Sequence, residues 1–581
     1  MKKNLIFKAA SIAVAGLALA GCGKSSSAED TKDDGKLMTV TLFDEYANYQ
    51  GIQPGWFGKL IKDKFNIKLN IIAPNVAGGG NTLFDTRSAA GNLGDLIMVN
   101  SSGGKGSRLA KSGLLTDMTP YAKNLKYLQK YKTPINALNK TLGKKSGMWG
   151  IPTAVSTQSP TTPQDGSDPT FGPYLRWDIY KEIGYPKMKN MDDVLNVLKE
   201  MQAKARQKTG DNKIYALSLF KDWDGDTMSA ANQLVSWFGY SGVGNVFAKA
   251  DGSDNQSAIQ TNGIYEKMLQ FLNKANQLGL VDPESATQNS DAQDTKMKRG
   301  RVLFSPVAWT KAGYNTGANV NVGRGFEFAP LTSLQSFSQG QTPNGQSFFF
   351  AIGSKAKNKP RLAKFLNWLY SPDGIYVTRG LFNGTAGIKG WTWEMKNGKP
   401  QLTSYGNEIY FGDNNAAVPA KYGTGRFSDG ASQMNTTTVS NNDIDPSTKY
   451  PYNPDLWPAT QAKINSTPVA KDWVAHMGTD TAMEYVKKHN NLLVAPGASY
   501  VTPDDSSQIS TLRSQIRKQI VNYSWRLVFA KSDNDFDSLF KKMQSTVNGL
   551  DYAKVLKVDM QNAKEQQKAR VQIVKDYKDK N

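Results

Sequence analysis

The chain has 581 residues, of which 39% are hydrophobic and 21% are charged, a composition typical of a globular protein with two or more domains. One cysteine excludes an internal disulfide, and two histidines are too few for most zinc or non-haem iron sites. The formal net charge is +21, but acidic residues are interspersed among the basic ones and no nucleic-acid-binding motif occurs. We therefore expect no metal site, no cofactor and no nucleic-acid partner.

The first residues have the pattern of an export signal. Three lysines precede a short apolar run from Ala9 to Ala20, which is too short to span a membrane. The run ends in Leu19-Ala20-Gly21-Cys22, which resembles a bacterial lipobox. We therefore expect residues 1–21 to be a lipoprotein signal peptide and Cys22, the sole cysteine, to carry lipid such as palmitate. The polar segment 22–36 then forms a flexible tether.

Strands and helices alternate in the next part of the chain. Residues rich in β-formers predict strands over Leu37–Phe43, Ile67–Ala73 and Asp95–Val99. Apolar residues at helical spacing predict helices over Trp56–Phe65 and Thr82–Ala90. This order implies a parallel α/β sheet.

Polar and aromatic side chains follow two of these strands. Ligands of open α/β sheets bind beyond the carboxyl ends of the strands. Asp44, Glu45 and Tyr46 follow the first strand, and Asn100 and Ser101 follow the third. We regard these five residues as candidate ligand contacts. An alternative for Asp44 and Glu45 is that they are acidic residues at a helix N-terminus.

Regular elements continue to the end of the chain, with one exception. Residues 381–460 are dense in Gly, Asn, Tyr and Trp and show few helix signals. The other predicted elements are helices over Met191–Arg206, Ile264–Leu278 and Pro360–Tyr370, strands over Tyr215–Phe220, Arg301–Pro306 and Phe348–Ile352, and helices over Val469–Lys488 and Asp505–Phe529.

Several motifs occur in one order along the chain. They are Gly94–Met98, Trp149–Pro152, Tyr174–Asp178, Lys298–Phe304 and Phe365–Gly374. Together with the lipobox and the opening strand, they resemble the extracellular solute-binding lipoproteins of carbohydrate ABC importers, in particular the long variants. The resemblance spans nearly the whole chain.

The resemblance implies a two-lobe, periplasmic-binding-protein-like α/β fold with a hinge. The first lobe would comprise residues 37–158 and 335–380, and the second residues 159–334 and 381–581. The chain would cross between the lobes near 153–175, 310–345 and 380. Such a protein is a monomer without enzymatic activity. It is anchored by lipid to the extracytoplasmic face of the cell membrane, where it captures a sugar or oligosaccharide and delivers it to an ABC permease.

Aromatic residues suit such a ligand, because their rings stack on the apolar face of a pyranose while polar groups bind its hydroxyls. The chain has 12 tryptophans and 24 tyrosines. The expected roles are hydrogen-bond acceptance by Asp44 or Glu45, donation by Arg176 and stacking by Trp309. Trp149, Arg176, Trp309 and Tyr314 are the contacts that the resemblance adds, and Trp393 lies in a segment expected to cover one end of the cleft.

Three alternatives are open to test. A secreted glycosidase or lyase needs only two carboxylates, which the composition supplies, and an oligopeptide receptor would share the fold. Some long relatives carry a calcium loop, and Asp222, Asp224 and Asp226 space three carboxylates at every second position. The glycine is misplaced, however, and Gln233 occupies the twelfth position, so we favour a solvated acidic loop.

Overall fold

The computed structural model of the protein describes residues 33–74, 76, 80–380, 384–412 and 414–579. The predicted signal peptide, Cys22 and the tether up to residue 32 lie outside the described residues.

The strands are numbered here in chain order. They are β1 (Met38–Asp44), β2 (Gly51–Ile52), β3 (Ile67–Ile72), β4 (Leu96–Asn100), β5 (Ile151–Pro152), β6 (Phe171–Arg176), β7 (Tyr240–Val243), β8 (Val246–Lys249), β9 (Asn255–Ser257), β10 (Phe304–Val307), β11 (Phe326–Phe328), β12 (Ser336–Gln339), β13 (Phe348–Ile352), β14 (Trp393–Lys396), β15 (Lys399–Leu402) and β16 (Leu492–Ala495).

The helices up to residue 411 are α1 (Gly55–Phe65), α2 (Gly80–Ala89), α3 (Lys105–Lys111), α4 (Lys132–Thr141), α5 (Trp177–Glu182), α6 (Met191–Thr209), α7 (Ser229–Val235), α8 (Ile264–Gln277), α9 (Ser290–Lys298), α10 (Gly317–Val320), α11 (Lys359–Leu369), α12 (Pro372–Thr378) and α13 (Ser404–Phe411). The remaining helices are α14 (Phe427–Gly430), α15 (Pro458–Ile464), α16 (Pro468–Met477), α17 (Ala482–Lys488), α18 (Ser507–Val528), α19 (Asp533–Asn548) and α20 (Tyr552–Lys578).

The first sheet has the strand order β2-β3-β1-β4-β13-β5. Its strands β3, β1 and β4 are parallel, and β13 runs antiparallel to β4. Alternate residues of β1 face opposite sides of this sheet, so that Val40 and Leu42 enter one hydrophobic core and Phe43 enters another. The predicted strands and the parallel sheet at the start of the chain are therefore confirmed.

The second lobe is built around a smaller sheet of order β10-β6-β11, in which β6 is antiparallel to both neighbours. The predicted strand at Tyr215–Phe220 forms only isolated parallel bridges, from Tyr215 to Val302 and from Leu217 to Val281. These bridges nevertheless place the segment beside β10. Helices α6, α8 and α18 bury their apolar faces in the same core.

Helix α6 illustrates how the local sequence defines an element. The Asn190 side chain caps its first turn by accepting hydrogen bonds from the amides of Asp192 and Asp193, each at 3.0 Å. Gly210 ends the helix at φ 70°, a left-handed conformation that glycine adopts without strain. The residues between, at helical spacing, are buried on the face toward the core: Val194, Leu198, Met201 and Ala205.

The predicted lobe boundary at residue 381 is wrong. Residues from Ala386 to Trp457 contribute to the core of the first lobe, not the second. The Trp393 ring lies 4.5 Å from that of Tyr376 and 5.4 Å from that of Trp457. The aromatic side chains of this segment are thus buried against α12 and α1 of the first lobe. The chain enters the second core only after residue 457, at Val469, so the third crossing is not near residue 380.

Truncating Trp393 tests this packing. We expect Trp393→Ala to reduce the free energy of unfolding by about 3–5 kcal/mol, because it removes a fully buried ring from an aromatic cluster. Trp223→Ala is the matched control, since Trp223 is half exposed, and should change stability by less than about 1 kcal/mol. Urea unfolding monitored by circular dichroism measures both. Equal effects would contradict the assignment of this segment to the first core.

Candidate functional site

The carboxyl edge of the first sheet brings together all five residues predicted there. The Asn100 amide donates to Glu45 Oε2 at 3.0 Å, and Glu45 Oε1 lies 2.7 Å from Lys105 Nζ. Ser101 is buried and donates through Oγ to the carbonyl of Ser347 at 2.8 Å. Glu45 and Asn100 therefore form the polar part of this edge, whereas Ser101 holds β13 in place.

Asp44 does not have the role that its position suggests. The side chain is fully buried, and its Oδ1 accepts hydrogen bonds from the amides of Tyr46 at 2.9 Å and Ala47 at 3.1 Å. Its Oδ2 has no hydrogen-bond partner among the described residues. Burial raises the pKa of Asp44 to about 8. The side chain thus orders the turn after β1 and is not accessible to a ligand in this conformation.

Tyr46 is the exposed aromatic residue of the first edge. Its side chain is 45% exposed, and its ring centroid lies 4.8 Å from that of Phe348 at the start of β13. The Tyr46 carbonyl accepts a hydrogen bond from Asn435 Nδ2 at 3.0 Å. Asn435 belongs to residues 386–457, which pack on the first core. This segment thereby fixes the backbone of Tyr46, while the Tyr46 ring stays partly exposed.

The corresponding edge of the second sheet carries two exposed tryptophans. Trp309 follows β10 and is 47% exposed. Trp223 follows the bridged segment around Leu217, which lies beside β10, and is 50% exposed. The Trp309 ring meets Phe171 edge-on at 6.3 Å, and the Trp223 ring meets Phe220 at 4.8 Å. Trp223 was not among the predicted contacts. Its position just after a predicted strand, as for Trp309, is the signal that could have identified it.

Two chain crossings join the edges. Residues 153–170 lead from the end of β5 to the start of β6, and residues 340–347 lead from β12 to the start of β13. The crossings touch, since Pro163 and Gly340 form a β-bridge and a Cβ at Gly340 would overlap the carbonyl of Pro160. The same pair of touching crossings therefore connects the two edges.

A cavity of about 540 Å³ extends from Trp309 along residues 455–469, where the chain passes from the first core to the second. Its described lining holds four acidic residues and one lysine. Lys311 Nζ lies 2.6 Å from Asp168, and Tyr410 donates to Asp455. Glu327 also lines the cavity, and burial raises its pKa to about 7. The cavity thus combines the exposed Trp309 ring with a polar lining in which acidic groups outnumber basic ones.

Four predicted contacts are not brought to either edge. Arg176 is buried, binds Asp178 through two hydrogen bonds of 2.9 and 2.7 Å, and stacks 4.0 Å from the ring of the buried Tyr314. Trp393 lies in the first core. The Trp149 indole donates to Ser146 and is covered by Lys144 at 4.0 Å. In this conformation all four have structural roles, and the predicted ligand contacts at Arg176, Tyr314 and Trp393 are inconsistent with their burial.

The Asp222–Asp226 loop does not fit a calcium ion. Asp222 accepts hydrogen bonds from Ser290, and Asp224 accepts from the Ser229 amide at 2.8 Å and from Trp525 Nε1 at 2.7 Å. The carboxylates are thus used by separate partners. Within the described residues, no group of three or more His, Cys, Asp or Glu side chains is arranged to hold a metal ion.

These two facing edges define a two-lobe binding protein of the α/β type. The sequence model of the family described as bacterial extracellular solute-binding protein matches residues 50–376, more than half of the chain. The protein therefore belongs to that family. None of the helices in the part of the chain that the structure describes has the length and apolar character needed to cross a membrane.

Solved structures of low sequence identity share the fold. The HMO-binding, ABC-transporter-associated solute-binding protein of Bifidobacterium longum infantis has a TM-score of 0.57 and 14% identity, covering 92% of this chain and 100% of its own. FusA of Streptococcus pneumoniae, in complex with kestose, has a TM-score of 0.58 and 13% identity, covering 91% and 99%. The alginate-binding protein AlgQ2 without calcium ion has a TM-score of 0.56 and 15% identity, covering 91% and 98%.

These likenesses confirm the predicted two-lobe, periplasmic-binding-protein-like fold. A search of curated protein sequences found no significant match.

The buried carboxyl of Asp44 predicts a pH-dependent stability difference. The Asp44 carboxyl has a pKa of about 8 in the folded protein, against 3.8 for the unfolded chain. The folded state is therefore favoured most below pH 3.8, where the carboxyl is protonated in both states, and it loses stability as the pH rises towards about 8. Asp44→Asn keeps the Oδ1 acceptor and cannot ionise. The stability of the variant relative to wild type should therefore increase with pH, by about 1–2 kcal/mol at pH 5 and by roughly 5 kcal/mol at pH 8. Urea unfolding at several pH values measures the gain, and a difference independent of pH would contradict the assignment.

Proposed function

We propose that the protein captures a sugar or oligosaccharide between the two sheet edges and delivers it to an ABC permease. The observation that carries this proposal is the position of three exposed aromatic side chains. Tyr46, Trp223 and Trp309 each follow the end of a strand or strand-like segment, and each is about half exposed. Exposed rings are costly in water and suit the apolar C–H face of a pyranose ring.

Polar groups beside the rings complete such a site. On the first edge, Glu45 and the Asn100 side chain are placed to bind sugar hydroxyls. The Glu45 carboxylate already pairs with Lys105, so the pair can offer one acceptor and one donor without an uncompensated buried charge. On the second edge, Trp223 and Trp309 supply stacking surfaces. Lobe closure would then bring both sets of groups onto one ligand.

The similar structures support a carbohydrate ligand. One of them is an HMO-binding protein, one is in complex with kestose, and one is an alginate-binding protein. In this proposal, the protein acts as a monomeric receptor rather than an enzyme. Its partner is a membrane permease with an ATPase, and its location is the extracytoplasmic face of the membrane, where lipid on Cys22 anchors it.

Thermal shift against a panel of glycans and peptides tests the class of ligand. A ligand that binds only the folded protein raises its melting temperature, so we expect a shift with one or more oligosaccharides, no shift with peptides and no change in the glycan. Conversion of the glycan to products would identify a glycosidase or lyase. A shift with peptides alone would identify an oligopeptide receptor.

Substitution at the second edge tests the site itself. Trp309→Ala and Trp223→Ala should each weaken binding of the stabilising glycan by about 1–3 kcal/mol, because a stacking surface is lost. Leu278→Ala is the control, since Leu278 is an exposed apolar residue at the end of α8 and away from both edges. Isothermal titration calorimetry measures all three. If both tryptophan variants bind like the control, the ligand does not contact this edge.

The lipid anchor is tested separately. The intact mass of the protein extracted from membranes should correspond to residues 22–581 plus a diacylglycerol group on Cys22. A Cys22→Ser variant should be released from the membrane or keep its signal peptide. An unmodified Cys22 on membrane-extracted protein would contradict the proposal.

A further inference from the structure

The first lobe has a long stretch without acidic residues. Between Met118 and Gln164 the chain contains seven lysines and neither aspartate nor glutamate. Most of these lysines are exposed, although the surrounding chain is well packed. The seven are Lys123, Lys126, Lys130, Lys132, Lys140, Lys144 and Lys145.

Packing places three of these lysines beside two other elements. Asn367 of α11 accepts hydrogen bonds from the backbone amides of Tyr127 at 2.9 Å and Leu128 at 3.2 Å, which fixes the segment 119–131 along α11. Lys126 and Lys130 lie 4.9 and 5.8 Å from the Tyr127 ring. Lys123 precedes them in the same segment.

The other side of α11 adjoins the end of α1. Lys64 Nζ lies 5.9 Å from the ring of Trp368, and the Phe65 and Phe365 rings meet at 5.5 Å. Lys364 is exposed one helical turn before Trp368. Five exposed lysines thus surround α11, and we call them the lysine face: Lys64, Lys123, Lys126, Lys130 and Lys364.

The lysine face forms no ion pairs with the described part of the chain. No ion pair among the described residues includes any of its five members. Asp33 and Asp34 bind Arg361 of α11, and Asp33 also interacts electrostatically with Lys364. Asp63, beside Lys64 in α1, is paired with Lys59. A cluster of lysines with so few acidic neighbours produces a positive potential that an anionic surface would relieve.

The first described residues of the chain, which begin at Asp33, also lie beside this face. Arg361 Nε lies 2.9 Å from Asp33 Oδ1, and Arg361 donates to the Lys36 carbonyl. Asp33 follows Cys22 by eleven residues, which span at most about 40 Å when fully extended. A lipid on Cys22 therefore holds the lysine face, rather than the opposite side of the molecule, close to the bilayer.

We propose that the lysine face docks on the anionic phospholipid headgroups of the membrane that the lipid anchor enters. Anionic headgroups attract lysines that come within about a Debye length, roughly 10 Å. The face lies on the broad α11 side of the first sheet, whereas Tyr46 lies at its carboxyl edge. Docking thus leaves the ligand site open and gives the tethered protein a preferred orientation. The physiological role rests on the proposed extracytoplasmic location, but the binding itself does not.

Vesicle co-sedimentation tests the proposal without the anchor. The probe is the mature chain 22–581 carrying Cys22→Ser, with vesicles of phosphatidylcholine alone or of phosphatidylcholine and phosphatidylglycerol at 3:1. We expect binding only to the vesicles with phosphatidylglycerol at 50 mM NaCl, and release at 500 mM NaCl. Absence of binding to the anionic vesicles would overturn the proposal.

A matched pair of variants distinguishes an effect of the lysine face from an effect of the net charge of the protein. Replacing the five lysines of the face by glutamine should weaken vesicle binding at least tenfold. The control replaces five exposed lysines of the second lobe, Lys187, Lys199, Lys267, Lys541 and Lys542, and should remain within threefold of wild type. Equal losses would show a non-specific charge effect and overturn the proposal.

Two further readouts complete the test. Binding to soluble poly(glycerol phosphate) without binding to vesicles would assign the face to a wall polymer and would also overturn the proposal. Both variants should keep the melting temperature and the glycan affinity of the wild type, because none of these lysines lies at a sheet edge. Failure of vesicle binding is therefore distinguishable from failure of the proposed carbohydrate function.

Discussion

The close contact between two chain crossings determines how the two lobes face each other. Gly340 and Pro160 meet backbone to backbone, and only a residue without Cβ fits there. Each crossing begins or ends at a sheet edge, so this contact fixes where both edges open. Tyr46 of the first lobe and Trp223 and Trp309 of the second lobe therefore lie at the two ends of the same pair of connections. The site therefore depends on the crossings as much as on the strands.

The sequence predicts the first sheet well because its strands are short, rich in β-formers and separated by amphipathic helices. β1, β3 and β4 lie within two residues of their predicted bounds. The segment 386–457 was assigned to the wrong lobe because its signals are aromatic residues without periodicity. Aromatic residues indicate burial but not the partner they are buried against. The contact of Trp393 with Tyr376, like that of Trp56 with Phe427, depends on tertiary packing between distant parts of the chain.

The residues of the candidate site were predicted only in part, again because tertiary packing decides which way a side chain faces. A position just after a strand correctly brought Glu45, Tyr46 and Asn100 to one edge, and Trp309 to the other. It did not distinguish a side chain that faces solvent from one that turns inward. Asp44 and Tyr46 differ by two residues, yet the first is buried and the second exposed. Arg176 carries the same ambiguity, since its motif places Asp178 within reach of the guanidinium, and the resulting pair is internal.

The distribution of charge separates two surfaces of the protein. At the edges, two acidic groups are paired with lysines: Glu45 pairs with Lys105, and Asp168 pairs with Lys311. A site of this kind offers hydrogen bonds without a strong field, which suits a neutral, hydroxyl-rich ligand more than a charged one. Exposed lysines that form no ion pair with a described residue lie elsewhere, both on the lysine face and on the second lobe, for example Lys187, Lys199 and Lys267. The net positive charge of the chain is thus not by itself evidence for an anionic ligand in the cleft, because exposed lysines on both lobes, away from the edges, contribute to it.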